Sequence, residues 1–189
     1  PDGIYFAHAR GSTNAAIYKR SGDTFTKLAF IEEMSGATES MCFSPDGTYL
    51  ALGLYYSPYI AIYKRSGDVF TKLANPTSPG DRVNDVTFSA DGTYLAFGLY
   101  SSIYNSVVIY KRSGDTFTKL ANPPRIFEGT YMVSMAAVAY NPLQQYFMVG
   151  GHQTSDHKIA LYKGDILGDY VHKYKDLHDL YLGNYLRFG

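Results

Sequence analysis

The sequence predicts an all-β fold of four tandem units, each made of four short antiparallel strands. Three observations carry that prediction. The block IYKRSGDTFTKLA fills residues 17–29, recurs unchanged at 109–121, and appears at 62–74 with one difference, Val69. A second block, FSPDGTYLALG at 43–53, returns as FSADGTYLAFG at 88–98 and in worn form as YNPLQQYFMVG at 140–150, and opens the chain as PDGIYFAH. Inside the blocks the apolar period is two rather than 3.6, with turn residues between the runs. Four-stranded units of about 45 residues in tandem are the pattern of β-propeller blades, whose apolar faces are covered only when the blades stack.

Registering the units on Pro1, Pro45, Ala90 and Pro142 divides a single domain, residues 1–189, into 1–44, 45–89, 90–141 and 142–189. The clearest unit gives its strands in order. Residues 83–89 (VNDVTFS) alternate, as a strand with one exposed face does, whereas 93–100 (TYLAFGLY) is apolar on both sides, as a strand covered on both faces must be. Residues 106–111 (SVVIYK) and 116–121 (TFTKLA) complete it. The first and second strands are joined by Ser-Pro-Asp-Gly or its copy, where Pro fixes φ, Asp bonds the local backbone and Gly accepts a positive φ. Arg-Ser-Gly-Asp, at 20–23, 65–68 and 112–115, joins the third and fourth as a hairpin. The opening unit begins on a second strand, and residues 184–189 (NYLRFG) fall opposite 84–89 (NDVTFS). The expected closure is therefore a C-terminal strand completing the N-terminal blade.

Composition narrows the function classes. With 17 Lys plus Arg against 17 Asp plus Glu, the chain is formally neutral and offers nucleic acid or an anionic membrane no bulk attraction. The single cysteine, Cys42, rules out an internal disulfide or a four-thiolate metal site and is expected to be a small core residue. No apolar run approaches the roughly 20 residues that span a bilayer, so a soluble chain without membrane insertion is expected. Neither GxxxxGK[ST] nor GxGxxG occurs, and no cofactor is expected.

The strings SPDGTYLA (44–51) and IYKRSGDTFTKLANP (109–123) resemble the tandem WD-repeat-like propeller units of bacteriophage virion proteins and some bacterial surface proteins. The likeness is strong over the second and third units, moderate in the first and weak in the fourth. In place of the Trp-Asp pair, the third strand ends in Tyr-Lys, at Tyr18, Tyr63, Tyr110 and Tyr162. The resemblance implies a virion, tail-associated or adhesin role, in a virion or outside the cell, with a protein or cell-surface glycan as partner and a homo-oligomer or larger virion assembly as context.

Copies that agree in their strands differ in the loops of one propeller face, which leaves those loops free for binding. Tyr55, Tyr56, Tyr59, Tyr100 and Tyr104, with Phe127 and Tyr131, are the aromatic candidates there, and some of them are expected to pack between sheets instead. His152 and His157 bound the polar loop HQTSDH on the same face. With Asp156 they lack the spacing of a metal site, so they join the candidates for partner binding only. No catalytic residue stands out. The leading expectation is thus a non-catalytic interaction or structural module. A glycan-binding lectin is second, and an enzyme working in the axial channel third.

Overall fold

The computed structural model describes residues 3–9, 15–28, 37–100, 107–122, 137–141, 146–153 and 156–163. Every regular element among them is a β-strand, and no helix there is long and apolar enough to cross a membrane. The first sheet holds β1 (Tyr5–His8), β2 (Ala16–Ser21) and β3 (Thr24–Lys27). The second holds β4 (Thr38–Phe43), β5 (Tyr49–Leu54), β6 (Ile60–Ser66) and β7 (Val69–Lys72). The third is β8 (Val83–Phe88), β9 (Tyr94–Leu99), β10 (Val107–Ser113) and β11 (Thr116–Lys119), and the fourth is β12 (Ala137–Asn141), β13 (Tyr146–Gln153) and β14 (Asp156–Lys163). Strands neighbour one another in chain order within each sheet, and every pairing is antiparallel.

The strands of the third sheet fall within two residues of the boundaries read from sequence. Residues 184–189, expected to complete the first sheet, lie outside the described residues. The segment HQTSDH differs from expectation. Four of its residues belong to the ladder, because β13 runs through Gln153 and β14 starts at Asp156, with His152 opposite His157. A ladder needs only backbone donors and acceptors, so polar side chains do not end it.

Two of the repeated signals are turns. Gly47 and Gly92 take φ of 67° and 69°. Around them Ser44 Oγ donates to Asp46 at 2.5 Å and accepts from the Tyr49 amide at 2.8 Å, and Ser89 does the same with Asp91 and Tyr94 at 2.6 and 2.8 Å. Gly22, Gly67 and Gly114 sit at φ 57–59° as the first of two loop residues, the place where a tight hairpin favours glycine.

The core lies between sheets. One face of β5 and β6 (Leu50, Leu52, Leu54, Ala61 and Tyr63) packs on Ala7, Ala15 and Ile17 of the first sheet. The other face, with Tyr49, Ala51, Ile60 and Ile62, packs on Leu95, Phe97, Leu99, Val108 and Tyr110 of the third. Both faces of the central strands are therefore apolar because both are covered. The first strands β4, β8 and β12 of successive sheets contact one another, while the outer strands make no comparable approach. The sheets thus converge on one side, as propeller blades do around an axis.

Polar clasps repeat along with the apolar contacts. At the hairpin tip of the second sheet, Asp68 accepts from Tyr5 Oη at 2.5 Å and from Lys19 Nζ at 2.9 Å on the first. Asp115 likewise accepts from Tyr49 at 2.6 Å and Lys64 at 2.8 Å. The Arg65 and Arg112 guanidiniums cover the rings of Tyr5 and Tyr49, 4.4 and 5.0 Å from their centroids. The hairpin tips are thus inter-sheet contacts rather than simply solvated ends. The Lys64 ammonium, then the Tyr49 hydroxyl, hold the Asp115 carboxyl below its ordinary range. A depressed carboxylate contributes stability that is complete above the ordinary value and is lost as pH falls through the depressed one. Exposed pairs are worth little, so Asp115→Asn is expected to lower Tm by only about 1–2 °C at pH 7. The gap between variant and wild type should close in thermal melts as pH falls through the depressed value, and a gap that persisted in stronger acid would assign the effect to packing.

Candidate functional site

The converging strands carry a polar cluster that breaks the apolar rule of the sheets. Its origin is a pair of β-bulges. The register of β4 against β5 shifts between Thr38 and Ser40, and that of β8 against β9 shifts between Val83 and Asp85. Glu39 and Asn84 are therefore the extra residues at corresponding places in successive sheets, released from the ladder. Beside them the chain enters β4 and β8 through Ala37 and Arg82, whose carbonyls accept from the amides of Tyr55 and Tyr100 at 2.8 and 2.9 Å. These bonds hold the two tyrosines at equivalent positions at the ends of β5 and β9.

Arg82 fills the space this creates. Its guanidinium carbon lies 4.1 Å from the Tyr55 ring centroid and 4.2 Å from that of Tyr100, a two-sided cation–π contact. One terminal nitrogen is 3.5 Å from Glu39 Oε1, and both side chains are partly buried. Among the described residues, the Nε of Arg82 and the Nδ2 of Asn84 are buried with no hydrogen-bond partner. Such donors are costly to bury unmatched, which marks the position as one suited to receive an acceptor. Next to it Ser40 Oγ donates to Asp85 Oδ1 at 2.9 Å, linking the two inner strands. A cleft of about 310 Å³ adjoins the cluster between β1 and β4, lined by Phe6 to Ala9 and Thr38 to Met41, so His8 and Glu39 share its wall.

The aromatic candidates separate in space. Tyr55 and Tyr100 are the jaws around Arg82. Tyr56 is exposed and stacks on Tyr55 with centroids 4.6 Å apart. Tyr59 packs against the core between the second and third sheets, its backbone at φ 68° after the cis Ser57–Pro58 peptide, with its carbonyl accepting from Leu54. Tyr104, Phe127 and Tyr131 lie outside the described residues; His152 and His157 are paired positions of β13 and β14, and their side chains are outside what is described. Sequence reasoning passed over Arg82, Glu39 and Asn84. Each is an ordinary polar residue near a strand start, and only the two bulges bring them to one place. Cys42 is half-buried in β4 against the core, and burial pushes its thiol up, away from nucleophilic use. Among the described residues no group of three or more His, Cys, Asp or Glu gathers as a metal site would require.

No protein-family model matches the chain, and no curated protein matches it. Solved structures do. A "putative 6-phosphogluconolactonase" from Bacteroides uniformis superposes with a TM-score of 0.68 at 13% identity, over 92% of this chain and 54% of that one. The hydrazine synthase of Kuenenia stuttgartiensis matches with a TM-score of 0.68 at 12% identity, over 86% and 44%. A protein from Lactobacillus plantarum matches with 0.65 at 20% identity, over 87% and 49%. At these identities the likeness is one of fold, and that fold is β-propeller-like. The chain spans about half the length of the solved chains it matches. These neighbours correct two expectations. Against the expected non-catalytic virion or adhesin module, neighbours that share the fold carry enzyme names, a "putative 6-phosphogluconolactonase" and a hydrazine synthase.

Proposed function

We propose that the chain is an arc of an enzyme-like β-propeller whose converging edge handles a small, anionic, sugar-derived substrate, with lactone hydrolysis as the reaction class. The four repeat units are four blades of that arc. The name of the Bacteroides uniformis protein supplies the substrate class. The observation that carries the reading to this chain is the Arg82 guanidinium, clamped between two tyrosines with its buried Nε unmatched beside Asn84 Nδ2.

Arg82 and Asn84 present donors to a phosphate or carboxylate oxygen, a charge-assisted contact that little water screens. Glu39 supplies an acceptor for sugar hydroxyls, and from the cleft wall it takes the proton of a water adding to the lactone carbonyl. His8, on the same wall, returns a proton to the ring oxygen as the carbon–oxygen bond opens. The product is a hydroxy acid; Glu39 is left protonated and His8 neutral, and a proton passing from Glu39 to His8 through solvent restores the pair, so the step needs no further reactant.

Hydrolysis of 6-phosphogluconolactone, followed above its spontaneous rate, tests this. The chain is expected to accelerate the reaction, and Arg82→Ala to lower kcat/KM by about tenfold to a hundredfold, the range for losing a charged hydrogen bond. An unaccelerated rate with the unaltered chain, or wild-type rates for both Arg82→Ala and Glu39→Gln, would sink the proposal.

A further inference from the structure

Successive sheets meet by one rule, and among the described residues the first sheet has no neighbour on its other face to satisfy it. The face that Leu50, Tyr63 and Phe70 turn toward the first sheet, and that Leu95, Tyr110 and Phe117 turn toward the second, is formed in the first sheet by Phe6, Tyr18 and Phe25. Leu50 and Leu95 are fully buried and Phe117 is 6% exposed, but Phe6 is 53% and Phe25 55% exposed. These rings line an entirely apolar hollow with Tyr18. The polar half of the rule is open as well. Asp23 corresponds to Asp68 and Asp115, each of which clasps a Tyr–Lys pair on the preceding sheet, yet Asp23 makes no ion pair among the described residues.

The complementary half is present at the other end of the chain. Tyr5 pairs with Lys19 across β1 and β2, and Tyr49 with Lys64 across β5 and β6; Tyr146 pairs with Lys163 at the same register of β13 and β14. Met148, Ile159 and Leu161 stand at the register positions of Ala51, Ile60 and Ile62, which form the receiving face of the second sheet. Closure of the described sheets within one chain would bring the fourth sheet onto Phe6 and Phe25, and among the described residues the first and fourth sheets do not pack on each other. The chain also superposes on about half of longer propeller-like chains, so its four sheets describe an arc that a second arc of equal length would complete.

We propose that the Phe6–Tyr18–Phe25 face of the first sheet, with Asp23 at its rim, docks on the fourth sheet of a second copy of this chain, and reciprocally, closing a twofold ring. Asp23 then accepts from Tyr146 and Lys163 of the second copy, as Asp68 accepts from Tyr5 and Lys19. The proposal rests on the arc reading above. A repeated head-to-tail contact closes as a dimer when each arc spans half of the ring, and an apolar face rimmed by polar groups is the surface such a contact uses.

Light scattering on the intact chain is expected to give about twice its 21.0 kDa mass. Both aromatics are exposed, so Phe6→Asp with Phe25→Asp should give the monomer with an unchanged β-sheet circular dichroism spectrum. Asp23→Lys and Lys163→Glu should each weaken the dimer several-fold, and the two together should restore it, a rescue that only a first-to-fourth-sheet contact explains. A 21.0 kDa species at about 100 µM would overturn the proposal, and so would a dimer indifferent to all four substitutions. Small-angle scattering of such a monomer separates the two readings. An open crescent would refute only the second copy, whereas a closed small ring would refute the arc as well.

Discussion

Phe97→Ala is expected to destabilise the protein by about 3–5 kcal/mol, the range for truncating a fully buried phenylalanine. Phe97 is 0% exposed at the centre of β9 and meets Tyr110 edge-on, with centroids 5.6 Å apart and rings at 88°. Its neighbours come from two sheets, Ile60 and Ile62 on one side and Leu95, Leu99 and Val108 on the other. Truncation removes apolar transfer free energy and also leaves a cavity between paired backbones that cannot move together without breaking their ladders. In a stacked array the interface between units supplies much of the stability. The loss should therefore appear as a lower urea midpoint for the whole chain. A cost below about 1.5 kcal/mol would show that the second and third sheets do not stack as described.

The second large effect comes from adding atoms. A Cβ at Gly53 would collide with the Val83 side chain, meeting Cγ1 and lying 3.1 Å from Cβ. Gly53 lies in β5, and Val83, 0% exposed, opens β8 in the next sheet. The glycine is there for that close approach and not for an unusual backbone angle. Gly53→Ala is expected to cost about 1–3 kcal/mol through overpacking. Val83→Ala in the same chain should recover part of the loss, so the double variant is less destabilised than the two single costs added together. Strict additivity in denaturant titrations would mean that the two residues do not meet.

These two positions show how far the sequence could be read. Glycine at the end of the second block recurs as Gly53, Gly98 and Gly150, so its requirement was visible while its cause, a valine from the following sheet, was not. Tyr49 and Tyr63 recur too and read as structural, but the sequence could not say that Tyr49 carries its hydroxyl to Asp115 one sheet away. The candidate site was legible only in part. Tyr55 and Tyr100 stood out as aromatic residues in variable loops, whereas Arg82, Glu39 and Asn84 carry no motif and no periodicity. The bulges that assemble them shift the ladder by one residue, and a polar residue near a strand start is compatible with a regular ladder or with a bulged one. The fold neighbours carry enzyme names and not the virion role that the repeat strings suggested by resemblance, and a way of building blades does not fix what the blades do.

By itself the sequence determined the strands, the turns and the repeat. Those depend on short-range physics: a period of two, a glycine where φ is positive, and a serine and an aspartate whose side chains close the turn between the first and second strands. Tertiary structure alone decided which face of each sheet meets which, that the hairpin tips clasp the preceding sheet, and that a guanidinium sits between two tyrosines with a donor unmatched. Those outcomes depend on contacts between residues far apart in the chain, from 18 positions for Arg82 and Tyr100 to 66 for Tyr49 and Asp115. Their free energy exists only when the sheets are stacked, so no local pattern records it.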